Sequence, residues 1–408
     1  GTAAGTVFHK VFFSQTGNGT TALILSYMSF AIGYIAGPFG AIFFGHIGDR
    51  KGRKVTMYAS LLMMGISTSI IGILPPAASA GVGVVIVLQL MRLAQCFGRG
   101  GTWGGGILMA YENVPENKRS FYAAIPQIGL PIGFGLSSIL IAVPTLLLPE
   151  DIFFTWGWRI PFLAAIILTL IVIRQKGEMM ETEDYKKAQA KLEAEEAEGK
   201  KHKVGFIPMV KGYWKTLLLG CGTRWVDGTF YNIFIVWILS YCINWLGMPL
   251  IQTYIITIIA CIFKIPFTLF GGWCAQKLGN TRTFVIGALA SAVLSIPTLK
   301  VIELSKGNLA ITIIGIVLGW SIAYNLIWAV ISSLWSSYFE TEVRYSGISF
   351  VYHVPSFLVA GMVPTICTLL INYGKGDTIY VGIYSTVVAL ISAACALALK
   401  ARHDRGEK

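Results

Sequence analysis

Six ionisable side chains stand inside long apolar runs of this 408-residue chain, and four of them are Arg or Lys. Arg92 and Arg99 lie seven residues apart in the run from about 82 to 111, so a helix would place them near one face, two turns apart. Arg224 and Asp227 stand at i and i+3 in the run from about 215 to 243, where they can pair with each other. Lys264 sits in the middle of the run 250–274, and His353 stands beside Pro355 in the run 345–373. Charge in a hydrocarbon environment is costly, so such groups face a cavity or find a partner. Arg92, Arg99 and Lys264 outnumber Asp227, and a positive cavity selects an anion. A guanidinium receives a carboxylate through two parallel hydrogen bonds. Asp227 is the carboxylate able to carry a proton, and an ordinary histidine such as His353 titrates near physiological pH. Each residue also has a plainer reading. Arg92 can tie to backbone or to a carboxylate, Arg224–Asp227 can be a structural or gating pair, and His353 can be satisfied locally. A snorkelling lysine would stand nearer a helix end than Lys264 does. Polar and aromatic residues at similar depth complete the candidates: Tyr34, Trp103, Gln127, Tyr231, Asn232, Tyr324, Asn325, Trp328 and Tyr352.

The elements that must position these residues are membrane helices. The chain is 55% hydrophobic and only 13% charged, whereas soluble domains carry about 25% charged residues. A helix crossing a core of ~30 Å needs about 20 apolar residues. Runs of that kind are expected at about 23–44, 55–74, 82–111, 120–143 and 156–174. After a hydrophilic stretch they recur at 215–243, 250–274, 283–302, 309–337, 345–373 and 378–399. Residues 1–13 read as the outer end of a first helix. The Glu-, Lys- and Ala-rich segment 175–214 divides the chain, which predicts an N-terminal bundle over 1–174, a cytoplasmic linker over 175–214, a C-terminal bundle over 215–400 and a tail over 401–408. The net charge of +12 concentrates in alternate loops, the positive-inside pattern, which places both ends in the cytoplasm and needs no nucleic-acid partner. The seven cysteines have no paired or metal-like spacing. No cofactor or metal is expected, and the chain lacks G-x-S-x-G, H-E-x-x-H and P-loop motifs, so an enzyme is not expected either.

Between the second and third runs lies Gly45-His46-Ile47-Gly48-Asp49-Arg50-Lys51-Gly52-Arg53-Lys54, read as a short, mostly basic loop at the membrane surface. It resembles the G-x-x-x-D-R-x-G-R-R/K signature of the major facilitator superfamily. Further stretches resemble its metabolite:proton symporter family: Arg92-Leu-Ala-Gln95 through Gly105, Glu112 to Arg119, Gln127-Ile-Gly129, Trp156-Gly-Trp-Arg-Ile-Pro161 and Arg344-Tyr-Ser-Gly347. The combination is most similar to the branch of shikimate transporters. The matching loop of the second half, Ala275 to Arg282, keeps a glycine and two basic residues but lacks the Asp-Arg pair.

The resemblance implies an all-α polytopic protein with two six-helix bundles, alternating access, and conformational gating by Gly45, Asp49, Arg50, Gly52, Arg53, Glu112, Arg119 and Arg344. The family's glutamate in the fourth helix is replaced here by Thr102, and Arg99 occupies a normally apolar position. The expected substrate contacts are therefore Arg92, Arg99, Thr102, Trp103, Gln127, Tyr231, Lys264 and Asn325, with Asp227 and His353 for the proton. The expected function is proton-coupled uptake of a small organic acid across the inner membrane by a monomer. The alternatives are a zwitterion such as proline or betaine as cargo, and a sensor that kept the fold without transport.

Overall fold

The structure, a computed structural model, describes residues 7–13, 19–51, 53–112, 114–174, 206–340 and 343–407. Residues 175–205 of the expected linker fall outside these residues. Helices dominate because the apolar runs leave their backbone N–H and C=O groups no partner but one another. In chain order they are α1 (His9–Phe12), α2 (Gly19–Lys51), α3 (Arg53–Ile73), α4 (Val82–Glu112) and α5 (Arg119–Leu147). Then follow α6 (Ile160–Arg174), α7 (Met209–Asn244), α8 (Leu250–Leu278), α9 (Asn280–Leu304), α10 (Leu309–Tyr338), α11 (344–373) and α12 (Ile379–Asp404). Nine of these are individually long and apolar enough to cross a membrane, among the described residues. The spans α6 and α11 are shorter or interrupted.

Two expectations change in detail. The charged motif at 45–54 is helical where it is described: α2 stays helical through Lys51 and α3 is helical from Arg53, with Gly52 outside the described residues. Arg and Lys are good helix formers, so charge at the surface does not by itself end a helix. Helical backbone also resumes at Phe206, ahead of the expected start at 215, and kinks at Tyr213 (φ −118°, ψ 19°).

Helices meet where side chains are small. A Cβ on Gly271 would stand 2.7 Å from the Ala329 Cβ of α10, and one on Gly272 would stand 2.7 Å from the Ala124 Cβ of α5. Glycines on adjacent positions thus let α8 approach both bundles, the small-residue packing typical of membrane helices. The W-G-W-R-I-P stretch has a structural role. Arg159 donates from Nη1 to the Gly72 and Leu74 carbonyls at 3.0 and 2.7 Å, closing the orphaned end of α3. Trp158 is buried beside Phe8 and Phe12, with ring centroids 5.9 and 5.8 Å away.

Three helices of the second half contain a π-helical turn: Ile233–Trp237 in α7, Val317–Ala323 in α10 and Phe357–Gly361 in α11. Such turns insert a residue into the helical register and recur at functional sites. They stand next to Asn232 and Tyr324 and contain Ala360. In the first half, α5 is broken instead by a 3-10 turn at Pro126–Ile128.

Candidate functional site

A cavity of about 290 Å³ lies between the two halves, at the level of these helix irregularities. Its wall is formed by Tyr34 of α2, Arg99 of α4, Pro126, Gln127 and Leu130 of α5, Arg224, Asp227, Tyr231 and Asn232 of α7, Trp328 of α10, and Tyr352 and Ala360 of α11.

Proline chemistry builds one side. Pro131 has no N–H, so the Gln127 carbonyl four residues earlier has no helical partner from it. The Trp328 indole of the opposite half donates to that carbonyl at 3.1 Å. The broken turn of α5 is thereby fastened to α10, and the Gln127 side chain is left with a buried Nε2 lacking a hydrogen-bond partner among the described residues.

The charges are arranged asymmetrically. Arg99 places its guanidinium carbon 4.4 Å from the Tyr34 ring centroid. Its Nε and Nη2 are buried without a hydrogen-bond partner, and no carboxylate pairs with it among the described residues. Arg224 forms an ion pair through Nη1 with Asp227 Oδ2, and its guanidinium carbon lies 4.3 Å from the Tyr352 ring centroid. The Tyr324 hydroxyl donates to the other carboxylate oxygen, Asp227 Oδ1. Asn232 donates to the Gly228 carbonyl at 2.8 Å, and its Oδ1 has no partner among the described residues. The wall therefore presents several unused N–H donors and one unused carbonyl acceptor, a pattern complementary to a guest rich in oxygen acceptors.

Other expected site residues stand elsewhere. Lys264 is buried behind the cavity wall rather than in it, donating to Asn325 Oδ1 at 2.9 Å, with Nζ 4.4 Å from the Trp320 ring and 4.3 Å from the Tyr324 ring. Asn325 is occupied as well, accepting from Thr268 at 3.1 Å and donating to the Lys264 carbonyl at 2.7 Å. Arg92 packs over Phe8 at 4.9 Å and Phe30 at 5.9 Å and does not line the cavity. Thr102 donates back to the Arg99 carbonyl at 3.1 Å. His353 is buried against α2, where a Cβ on Gly37 would meet its Nδ1 at 3.1 Å, and neither ring nitrogen has a hydrogen-bond partner among the described residues. The Trp103 side chain lies outside the described residues.

The expected gating residues cluster at the end that carries the 45–54 motif. Arg119 and Arg344, one from each half, stand 5.4 and 5.6 Å from the Tyr111 ring. The Tyr345 hydroxyl donates to the Gly101 carbonyl at 3.2 Å and packs beside Gly45. Gln276 donates to the Asn117 carbonyl and accepts from the Phe121 N–H at 3.3 Å. Gly52 and the side chains of Asp49, Arg50, Arg53 and Glu112 lie outside the described residues. At the opposite end, the Tyr27 hydroxyl meets Ser240 Oγ at 2.6 Å. Beyond that contact lies a second cavity of about 270 Å³, lined by His9, Thr20, Trp237, Asn244, Trp245 and Asn372 among others.

The model of the Major Facilitator Superfamily matches residues 11–360. The chain belongs to the major facilitator superfamily. It is 34% identical over 410 residues to the inner membrane metabolite transport protein YhjE of Escherichia coli K12, covering 99% of this chain and 90% of the relative. It is 30% identical over 407 residues to the shikimate transporter of the same organism, covering 98% and 90%. A proline/betaine transporter of Salmonella typhimurium LT2 is 27% identical over 398 residues, with 97% of this chain and 78% of the relative covered. Among solved structures, the proton:xylose symporter XylE bound to 6-bromo-6-deoxy-D-glucose superposes with a TM-score of 0.75 at 17% identity, covering 97% and 90%. That likeness carries the fold alone. The protein is a multi-pass membrane transporter of the metabolite type, not an enzyme.

The sequence had not singled out Pro126, Leu130 and Ala360 of the cavity wall. Pro131 was the available signal, because a proline four residues after Gln127 marks a carbonyl that needs another partner.

Proposed function

We propose that this transporter carries a small organic acid together with a proton, by alternating exposure of the 290 Å³ cavity to the two sides of the membrane. The observation that carries this reading is the Arg99 guanidinium, turned to the cavity with donors unused, while Arg224 is held by Asp227. A cargo carboxylate supplies the acceptors that Arg99 lacks. Gln127 and Tyr231 then contact the rest of the cargo, and the aromatic rings of Tyr34, Trp328 and Tyr352 shape the remaining wall. Protonation of Asp227 removes its hold on Arg224 and offers the cargo a second guanidinium, so that proton and anion bind together. Lys264 and Asn325 act from behind the wall. The positive-inside pattern places the 45–54 motif, the linker over 175–214 and both ends in the cytoplasm of an inner-membrane protein.

A second reading, a zwitterion such as betaine or proline, draws on the rings of Tyr34, Tyr231, Trp328 and Tyr352 around the cavity, which suit a quaternary ammonium. Arg99 opposes it, because a cationic head group would stand beside an unneutralised guanidinium.

The test is uptake into proteoliposomes of shikimate, 2-oxoglutarate, citrate, proline and betaine under an imposed pH gradient. Uptake of an acid that collapses with the gradient and vanishes in Arg99→Ala supports the proposal. Uptake of betaine or proline alone overturns the anion reading, and gradient-independent uptake of an acid removes the proton.

A further inference from the structure

Asp227 has two carboxylate oxygens in different settings. Oδ2 pairs with Arg224, while Oδ1 receives the hydroxyl hydrogen of Tyr324. Tyr324 is itself backed by Lys264, whose Nζ stands 4.3 Å from the phenol ring. The Tyr324 ring also lies nearly parallel to that of Phe230, with centroids 6.3 Å apart and planes at 10°. The hydroxyl reaches Asp227. It has one hydrogen, and it spends that hydrogen on Oδ1.

We infer that Tyr324 is a positioning residue that steers the transported proton to Asp227 Oδ2, so that protonation necessarily displaces Arg224. The inference rests on the reading that Asp227 carries the proton. The proton adds to a lone pair of Oδ2, the Arg224 hydrogen bond to that oxygen breaks, and the carboxylate becomes a neutral acid that still accepts from Tyr324 at Oδ1. The freed guanidinium then turns to the cargo carboxylate. On release of cargo, Arg224 returns to Oδ2 as the proton leaves. With Oδ1 open instead, the proton can settle there while Arg224 stays on Oδ2, and the two events separate.

The remaining charged and titratable groups around Asp227 leave Tyr324 as the group on Oδ1. Arg224 and Tyr231 share its helix, Lys264 comes from α8, Tyr352 and His353 from α11, Arg99 from α4 and Tyr34 from α2. Lys264 reaches Asn325 rather than the carboxylate. Arg99 and Arg224 rest on the Tyr34 and Tyr352 rings respectively.

The test is Tyr324→Phe, which keeps the ring against Phe230 and Lys264 and removes only the hydroxyl. In proteoliposomes with an organic acid that the unaltered protein accumulates, two modes are measured: accumulation driven by a pH gradient, and cargo exchange at equal pH. The expected result is exchange within about threefold of the unaltered protein and accumulation reduced at least tenfold, a split that general loosening of the fold would not give. Equal accumulation in Tyr324→Phe overturns the inference, as does parallel loss of both modes, which assigns Tyr324 a structural role. A second variant, Lys264→Met, checks where the effect originates. Cargo half-saturation in exchange should move less than threefold, and a large rise there overturns the placement of Lys264 behind the wall. An unaltered protein that accumulates no acid under a gradient defeats the underlying reading instead, which separates the two failures.

Discussion

Arg99 and Arg224 face one cavity from opposite halves of the molecule, yet their surroundings differ. Arg224 has its carboxylate three residues along the same helix, so its charge is answered locally. Arg99 is flanked by Gly98, Gly100 and Gly101, which offer no side chain at all. Those glycines serve packing: a Cβ on Gly98 would stand 2.8 Å from the Ser60 carbonyl oxygen, and one on Gly101 2.6 Å from the Phe44 ring. Close packing around α4 thus strips Arg99 of neighbours that could neutralise it. On the proposed reading, the same residue type serves as a receptor where the fold denies it a partner and as a switch where the fold provides one.

The largest effect is expected from breaking the unpaired side. Hydrogen bonds to charged groups are worth about 1.5–3 kcal/mol each, so Arg99→Ala should raise half-saturation for an acid by about 100-fold or more. Arg99→Lys keeps the charge but loses the planar fork, and should lie between the two. Exchange kinetics over a range of cargo concentration measure both. The paired side should break differently. Asp227→Asn keeps an acceptor for Tyr324 but cannot ionise, so exchange should persist while accumulation under a pH gradient is lost. Arg224→Ala strands a buried carboxylate, and removing one member of such a pair costs about 3–5 kcal/mol. That variant should show a lower melting temperature in detergent as well as lost transport. Equal phenotypes for Asp227→Asn and Arg99→Ala would erase the distinction between switch and receptor.

A smaller effect belongs to the contact that holds the cavity wall together across the halves. Trp328→Phe leaves the Gln127 carbonyl without its indole donor. An unsatisfied buried polar group costs about 1–3 kcal/mol, and because the Gly129 N–H also reaches this carbonyl the loss should lie towards the lower end. Pro131→Ala restores an N–H four residues on, so the double variant should recover part of the lost stability. A double-mutant cycle on melting temperatures would read the coupling directly. Independence of the two substitutions would show that the carbonyl finds another partner.

Apolar runs and the placement of basic residues made the membrane fold legible, since hydrocarbon admits few alternatives to helices. The 45–54 motif and the stretch Trp156–Pro161 carried the family. The site was legible in part. Arg99, Gln127 and Tyr231 stand in the cavity wall as expected of cargo contacts, and Asp227 stands there too. Lys264 and Asn325 were read as contacts because they are polar at mid-helix, but each is the other's hydrogen-bond partner. Helical periodicity gives a residue's face only while the register holds. The π turns in α7, α10 and α11 shift that register, so depth and facing beyond them could not be counted from the sequence.

A half-buried charge cluster provides the mildest contrast with the cavity. Lys300 reaches Asp377 at 2.7 Å and Glu303 at 3.0 Å, at the end of α9 remote from the 45–54 motif. Hydrogen bonds from Lys300 and from the Ile379 N–H hold the Asp377 carboxyl below its ordinary value. A depressed carboxyl contributes stability above its unfolded value and loses it as pH falls through the folded one. Melting temperature should therefore stay level from neutral pH to about 5 and decline below about 4. Lys300→Met should flatten part of that acid decline. Its cost at neutral pH should be at most about 1 kcal/mol, since both side chains are partly exposed and solvent screens them. Transport at neutral pH should be unchanged. A loss comparable to that of Arg224→Ala would mean that burial is not what separates a charge pair that switches from one that merely fastens a helix end to a loop.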